Sequence, residues 1–441
     1  LALYRSERPE VFEDIIGQKH IVRILQNQIR TGTVSQAYLF AGTHGTGKTS
    51  TARILAKAVN CMEGEPGDPG VNLPCGKCEN CEAIREGRFV DVIELDAASN
   101  NGVDNVRDLR DDAIYTPSQV KMRVYIIDEV HMLSISAFNA LLKIIEEPPE
   151  HLLFILATTE LHKVPATILS RCQRFSFRRI SQEDIASRLQ YVAYQENIDL
   201  DDSAARVLAR MADGGMRDGL SLLDQCASAT VGELTAERVY ACLGIAGEQK
   251  CAELMGYIAA HDTKNALSLF NRLYADGKDV RALLDELACL CRDLMILKTV
   301  KNPDDLLVVS PAEREQLQAS ADHMELAQIL RFLQVLQQSL DRLRGGVSRR
   351  VEMEMAILRL SAPELDDTTD ALLSRIAKLE AMMRAGVPAA PVEKPAAVPQ
   401  PVPVESRPAA VKEPEAKPEP APAPPPASTP TPAAPAPGEE V

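Results

Sequence analysis

The sequence predicts an α/β domain, a parallel sheet with helices on both faces, followed by two helical segments. Three observations lead there. Over residues 1–180, short apolar β-type runs alternate with amphipathic helical stretches, the pattern of βαβ units. From Ser181 onward, apolar residues recur at spacings of three and four, with little strand character. The chain is 45% hydrophobic yet holds only 9 Phe, 9 Tyr and no Trp, so its cores draw on Leu, Ile, Val and Ala. At 441 residues it exceeds a single core and divides into about two to four domains.

Taken in order, the predicted strands are Ala37–Ala41, Val90–Leu95, Arg123–Asp128, Leu152–Thr158 and Arg174–Arg179. Residues 181–243 read as a small helical domain, with helices over Ile185–Glu196, Asp202–Ala212 and Arg217–Ser228. Residues 244–362 read as a larger helical domain. In the short stretch 363–386, Leu372, Ile376, Leu379 and Met383 follow 4-3-4 spacing, which suits a coiled-coil seam or a docking helix. Of the 29 prolines, 18 fall between Pro388 and Pro437, so residues 387–441 are expected to form a disordered, extended tail.

The net charge of −15 excludes broad electrostatic coating of nucleic acid. It is uneven: residues 1–180 hold 21 Lys/Arg against 23 Asp/Glu, and the remainder 27 against 40. The near-neutral first part leaves room for a local basic face. No membrane-spanning run and no signal-peptide pattern is found, so the chain reads as cytoplasmic, with no membrane partner. It opens on Leu1, which reads as a missing true N-terminus.

The run Gly42-Thr43-His44-Gly45-Thr46-Gly47-Lys48-Thr49 matches G-x-x-x-x-G-K-[ST] at every fixed position, and Ser50 continues it. An apolar strand precedes it and an amphipathic helix over Ser50–Val59 follows. Glycines let backbone N–H groups turn inward around phosphates beside the positive end of that helix. Lys48 suits the β and γ phosphates of ATP, and the Thr49 hydroxyl suits Mg2+. The apolar strand Val124–Ile127 then ends in Asp128 and Glu129. Asp128 is placed to orient magnesium through its water shell, and Glu129 to polarise an attacking water as catalytic base. A protein that only held nucleotide would not need that second acid, so ATP hydrolysis is expected.

Ten cysteines in an intracellular chain do not read as disulfides. Cys75, Cys78 and Cys81 gather in a tight turn, and the Gly/Pro-rich loop before them is flexible enough to return Cys61 as a fourth ligand. Four thiolates suit a closed tetrahedral zinc site; an iron–sulfur cluster also uses C-x2-C-x2-C spacing. Cys172, Cys226, Cys242, Cys251, Cys289 and Cys291 are expected to be buried apolar fillers.

Several of these runs together resemble a known family. Asp128-Glu-Val-His-Met-Leu, Ala140-Leu-Leu-Lys-Ile-Ile-Glu-Glu-Pro-Pro149, Ala157-Thr-Thr and Ile168-Leu-Ser-Arg-Cys172 look like the AAA+ clamp loaders, and within them the bacterial DNA polymerase III gamma/tau family. Tyr4–Pro9 and Asp14–Gln18 resemble that family's opening segment, and the likeness covers roughly residues 3–360.

The resemblance implies an AAA+ P-loop ATPase domain at 1–180 with a zinc module at 61–81, a helical lid at 181–243 and an oligomerisation collar at 244–362. It favours Zn2+ over iron at the four cysteines. It implies that Arg171 reaches a neighbouring subunit's ATP, that Arg217 of Gly215-Met-Arg217-Asp218 contacts its own subunit's nucleotide, and that Ile16 lies by the adenine. Thr158 is the implied first sensor, with Thr159 the alternative.

The implied function is the ATPase motor of the replicative clamp loader. Its implied partners are other clamp-loader subunits in a mixed pentameric ring, the sliding clamp and primed DNA. DNA contact is implied near Ser99–Asp112, which offers Arg107 and Arg110. Polymerase core and helicase are implied partners of a longer C-terminal form, so the chain reads as the short form or a truncated long one. A replisome scaffold and a hexameric AAA+ DNA motor are the competing readings. Any polymerase label would belong to the holoenzyme.

Overall fold

A computed structural model describes residues 3–362, apart from 69–71, 114, 118–119, 301–302, 304–306, 308–310 and 323, together with Ile376. The rest of the expected helix at 363–386 and the whole tail at 387–441 lie outside the described residues.

Helices α1 (Leu3–Ser6) and α2 (Lys19–Thr31) precede β1 (Ala37–Ala41). Then come α3 (Lys48–Val59), α4 (Glu79–Arg85), β2 (Val92–Asp96), α5 (Val103–Ala113), β3 (Arg123–Asp128), α6 (Ile135–Glu146), β4 (Leu152–Thr158), α7 (Ala166–Leu169) and β5 (Gln173–Ser176). The five strands pair in the order β2-β3-β4-β1-β5, every pairing parallel.

Alternation along the strands divides the sheet's side chains between two cores. Tyr38, Phe40, Val124, Ile126, Leu153 and Ile155 pack with α2 and α3, while Leu39, Tyr125, Ile127, Phe154 and Leu156 pack with α5 and α6. Tyr125 and Phe154 stack at 5.5 Å between ring centroids. Truncating Phe154 to alanine would cost about 3–5 kcal/mol.

Two strands differ from their sequence reading. β2 begins at Val92, not Val90, because Asp91 is held side-on by the Arg123 guanidinium at 2.8 Å and Val90 is exposed. β5 runs Gln173–Ser176, not Arg174–Arg179. Phe177 still donates its N–H to Ala41 O at 2.7 Å, but the backbone of Arg178 turns to the side chain of Gln18.

Helices α8 (Gln182–Gln195), α9 (Asp202–Met211), α10 (Met216–Ala229) and α11 (Ala236–Cys242) enclose a core of Leu189, Leu208, Leu223 and Cys226. Ser181 and Asp201 cap α8 and α9, accepting from Asp184 N and Ser203 N at 3.1 Å each. Helices α12 (Glu248–Ala259), α13 (Thr263–Ala275), α14 (Val280–Thr299), α15 (Pro311–Asp322), α16 (Leu326–Arg344) and α17 (Arg349–Ser361) close round Phe270, Leu284, Leu287 and Phe332. Cys172, Cys226, Cys251 and Cys291 are buried and Cys242 is half-buried, but Cys289 is exposed. Two residues from buried Leu287 and from buried Cys291, it falls on the opposite side of α14. Among the described residues, no helix is long and apolar enough to cross a membrane.

Candidate functional site

The loop between β1 and α3 turns through Gly45 (φ +69°) and Gly47 (φ +99°), both left-handed. Gly47 precedes the first turn of α3, so that turn's N–H groups face the loop without a side-chain cap. The Lys48 ammonium is buried and donates to Gly42 O and Thr43 O, each at 2.8 Å. Burial lowers its pKa, and the carboxylates of Glu129 and then Asp128 work against that shift. Thr46 is buried and donates to Thr43 O at 2.9 Å; His44 is exposed at the rim, and Ser50 is half-buried in the first turn of α3.

Strand β3 brings its acids to the same place. Thr49 Oγ1 donates to Asp128 Oδ2 at 2.7 Å. Glu129 occupies left-handed backbone (φ +47°), a conformation that costs a non-glycine residue about 1–2 kcal/mol. Its Oε2 accepts from Thr159 Oγ1 at 2.8 Å and Thr159 N at 3.2 Å, while Oε1 faces His44 Nδ1 at 3.6 Å. Of Thr158, which ends β4, and Thr159, which follows it, Thr159 reaches the carboxylate. Thr158 is fully buried, with its hydroxyl 3.1 Å from His131 Nδ1 and accepting from Glu160 N at 3.1 Å.

The helical segment after β5 closes onto the loop. Met216 N donates to Gly45 O at 2.9 Å, and a Cβ on Gly45 would lie 2.9 Å from Gly215 Cα. Arg217 is placed with its guanidinium 5.0 Å from the Tyr4 ring, a cation–π distance. Ile16 packs against the core of α8–α11. Arg171 lies just after α7, donating to Thr167 O at 2.8 Å and pairing with Glu146 at 2.7 Å at the surface. Arg107 is on α5, and the side chain of Arg110 lies outside the described residues.

Residues that sequence reading did not single out also converge here. Gln18 is fully buried, donates to Arg178 O at 2.7 Å and accepts from Arg178 N at 3.1 Å, and so ties the opening segment to the strand leading into α8. Burial depresses the Arg8 guanidinium, which Arg53 and Arg217 also oppose and Glu94 and Asp128 favour. Arg8 and Gln18 both lie in runs that resemble the family's opening segment, but nothing in those runs gives either residue its own contact.

The four cysteines come together at the opposite end of α3. The Sγ atoms of Cys61, Cys75, Cys78 and Cys81 all lie within 4.8 Å of one another, with Cys61 and Cys78 at 3.9 Å. A tetrahedral centre with Zn–S bonds of about 2.3 Å needs sulfur separations of this order. Lys77 N and Cys78 N donate to Cys75 Sγ at 3.4 and 3.3 Å, across the Gly76 turn (φ +72°). Burial raises the thiols of Cys61 and Cys81. At Cys78 burial also opposes ionisation, but the N–H groups of Met62 and Cys81 prevail and bring it to about 7. The donor set fits a four-thiolate metal.

Three family models match the chain: DNA polymerase III, delta subunit, over residues 17–181; the DNA polymerase III clamp loader subunit, ATPase lid domain, over 184–232; and DNA polymerase III subunits gamma and tau domain III, over 234–373. It is 42% identical to DNA polymerase III subunit tau of Bacillus subtilis over 385 residues, which cover 86% of this chain and 67% of that one. The chain belongs to the DNA polymerase III gamma/tau family. The gamma/tau subunit of Mycobacterium tuberculosis is 38% identical, with 91% and 68% covered, and the gamma subunit of Buchnera aphidicola 36% identical, with 81% and 98% covered. Among solved structures, the Thermotoga maritima RuvB Holliday junction branch migration motor overlaps this gamma/tau chain loosely, at TM-score 0.41 and 17% identity, covering 57% of it and 79% of the motor.

Proposed function

We propose that this chain is an ATPase motor subunit of the replicative clamp loader, coupling ATP binding and hydrolysis to the loading of a sliding clamp on primed DNA. The observation that carries the reading is the 2.7 Å hydrogen bond from Thr49 to Asp128, which joins the phosphate loop to the acid pair.

When bound, magnesium–ATP supplies the scissile γ-phosphate and a cation that neutralises its charge. Gly42, Thr43, His44, Gly45, Thr46, Gly47 and Ser50 frame the phosphate cradle; Lys48 carries the counter-charge; Thr49 and Asp128 hold the magnesium shell. Glu129, pinned at Oε2 by Thr159, keeps Oε1 toward the loop to take a proton from water. Arg217 reads the nucleotide from the lid, Ile16 lies by the base, and Arg171 serves the neighbouring subunit's site in a ring. The lid (181–243) and collar (244–362) organise that ring. Zinc at Cys61, Cys75, Cys78 and Cys81 is structural.

The test is steady-state ATPase with and without sliding clamp and primed DNA, alongside two variants. Lys48→Ala should abolish ATP binding. Glu129→Gln should keep binding and lower turnover by about 10²-fold or more. A wild-type rate in Glu129→Gln would remove the base, and a rate indifferent to clamp and DNA would remove clamp loading.

A further inference from the structure

His131 follows the acid pair by two residues, and its side chain is only 6% exposed. A buried imidazole must place two ring nitrogens, and each nitrogen here faces a different part of the site. Nδ1 lies 3.1 Å from Thr158 Oγ1 and 3.3 Å from Glu129 Oε2. Nε2 lies 3.4 Å from Glu160 Oε1. Glu160 is in turn held by the Lys163 ammonium at 2.9 Å, and its own N–H donates to Thr158 Oγ1 at 3.1 Å. The ring thus touches the end of β3 and the end of β4 at once, in the space between the carboxylate of Glu129 and the Thr158–Glu160 turn.

From this geometry we infer that His131 is a positioning residue for ATP hydrolysis, acting through Glu129. The inference rests on Glu129 being the base. Glu129 reaches its place through left-handed backbone, and its side chain is fixed at one oxygen only. With its proton on Nδ1, the ring donates to that same oxygen or to Thr158, and either bond locks the turn that carries Thr159. Thr159 supplies both remaining donors to Oε2. Without the ring, the turn and the carboxylate lose their common partner, and Oε1 loses its fixed aim at the phosphate loop. A shift of the base by about 1 Å is enough to cost a large rate factor.

The experiment is steady-state ATPase of the full chain carrying His131→Leu, His131→Asn or His131→Gln, with ATP affinity measured separately by a fluorescent ATP analogue. An Asn amide can present its N–H where Nδ1 lies, whereas Gln reaches only toward the Nε2 position. His131→Leu should lower kcat about tenfold or more with unchanged ATP affinity. His131→Asn should recover most of that loss, and His131→Gln should not. If the leucine variant does not fold, the Asn–Gln difference decides alone. Equal kcat in Asn and Gln variants, or a wild-type kcat in the leucine variant, would overturn the inference. Glu129→Gln measured in parallel separates the two levels: if that variant turns over normally, the base assignment has failed.

Discussion

The backbone N–H of Met216 donates to the carbonyl oxygen of Gly45 across 2.9 Å, so the phosphate loop and the first turn of α10 share a hydrogen bond. Nothing bulkier than glycine fits between them. Any movement of α10 relative to the sheet must stretch that bond or carry the loop along.

Gly45→Ala should therefore destabilise the fold more than Gly47→Ala. A Cβ at Gly45 meets Gly215 Cα at 2.9 Å, whereas at Gly47 nothing lies within 4 Å. For folding stability, Gly47→Ala incurs only the left-handed backbone cost of about 1–2 kcal/mol. Gly45→Ala adds a backbone clash, so its melting temperature should fall further. Equal losses in the two variants would show that the close approach is unimportant.

The four-cysteine cluster should hold one zinc per chain, measurable by elemental analysis of protein prepared without chelator. Binding must displace protons from thiols that burial raises at Cys61 and Cys81, so zinc affinity should increase with pH across the neutral range. Cys81→Ser should abolish stoichiometric zinc. Iron in its place, or affinity independent of pH, would contradict the assignment.

Arg171→Ala should change stability little, because the Arg171–Glu146 pair is solvent-exposed and such pairs contribute about 0–1 kcal/mol. In an assembled ring its turnover should fall by about 10³-fold, the range of trans-acting arginines. Mixing Arg171→Ala with Lys48→Ala subunits should restore activity where the intact arginine of one meets the intact loop of the other. A lowered melting temperature with unchanged turnover per folded subunit would instead make Arg171 a helix-end contact.

Glu286 on α14 gives a pH-dependent prediction. It accepts from Gly247 N at 3.1 Å and from the Cys251 thiol at 2.8 Å, while its Oε1 is buried without a hydrogen bond. Burial raises its carboxyl pKa. The folded state then binds the proton more tightly than the unfolded state, so stability falls as pH rises from the ordinary glutamate range through the raised value. Glu286→Gln should flatten that decline, with its gain in melting temperature larger at pH 8 than at pH 4. A gain that is the same at both pH values would sink this.

The parts of the candidate site that the sequence marks are local in the chain. Gly42 to Thr49 is one uninterrupted run, and the strands Ala37–Ala41, Arg123–Asp128 and Leu152–Thr158 have the observed limits because apolar runs end at charged or turn residues. What was not legible depends on contacts between distant segments. Gln18 and Arg178 are 160 positions apart, and no periodicity announces an amide that completes a strand's last hydrogen bonds. That the Thr159 hydroxyl meets Glu129 while the Thr158 hydroxyl meets His131 is a matter of side-chain packing. The start of β2 moved because Asp91 found Arg123 on the neighbouring strand. Cys289 was read as buried by residue type, whereas helix phase puts it outside.

Helix α3 starts at the phosphate loop and ends at the cysteine cluster, where Asn60 exchanges hydrogen bonds of 2.9 Å with both backbone groups of Met122, just before β3. At 12 residues it is a rod of about 18 Å, with the phosphate loop at one tip and the four-cysteine cluster at the other. The sheet thus has a working rim and a fastening rim, and β3 also runs from the second to the first. Damage at the fastening rim would reach ATP through these two struts, as looseness of a frame rather than loss of a reacting group. A lesion there should first be visible as faster hydrogen exchange along α3 and β3.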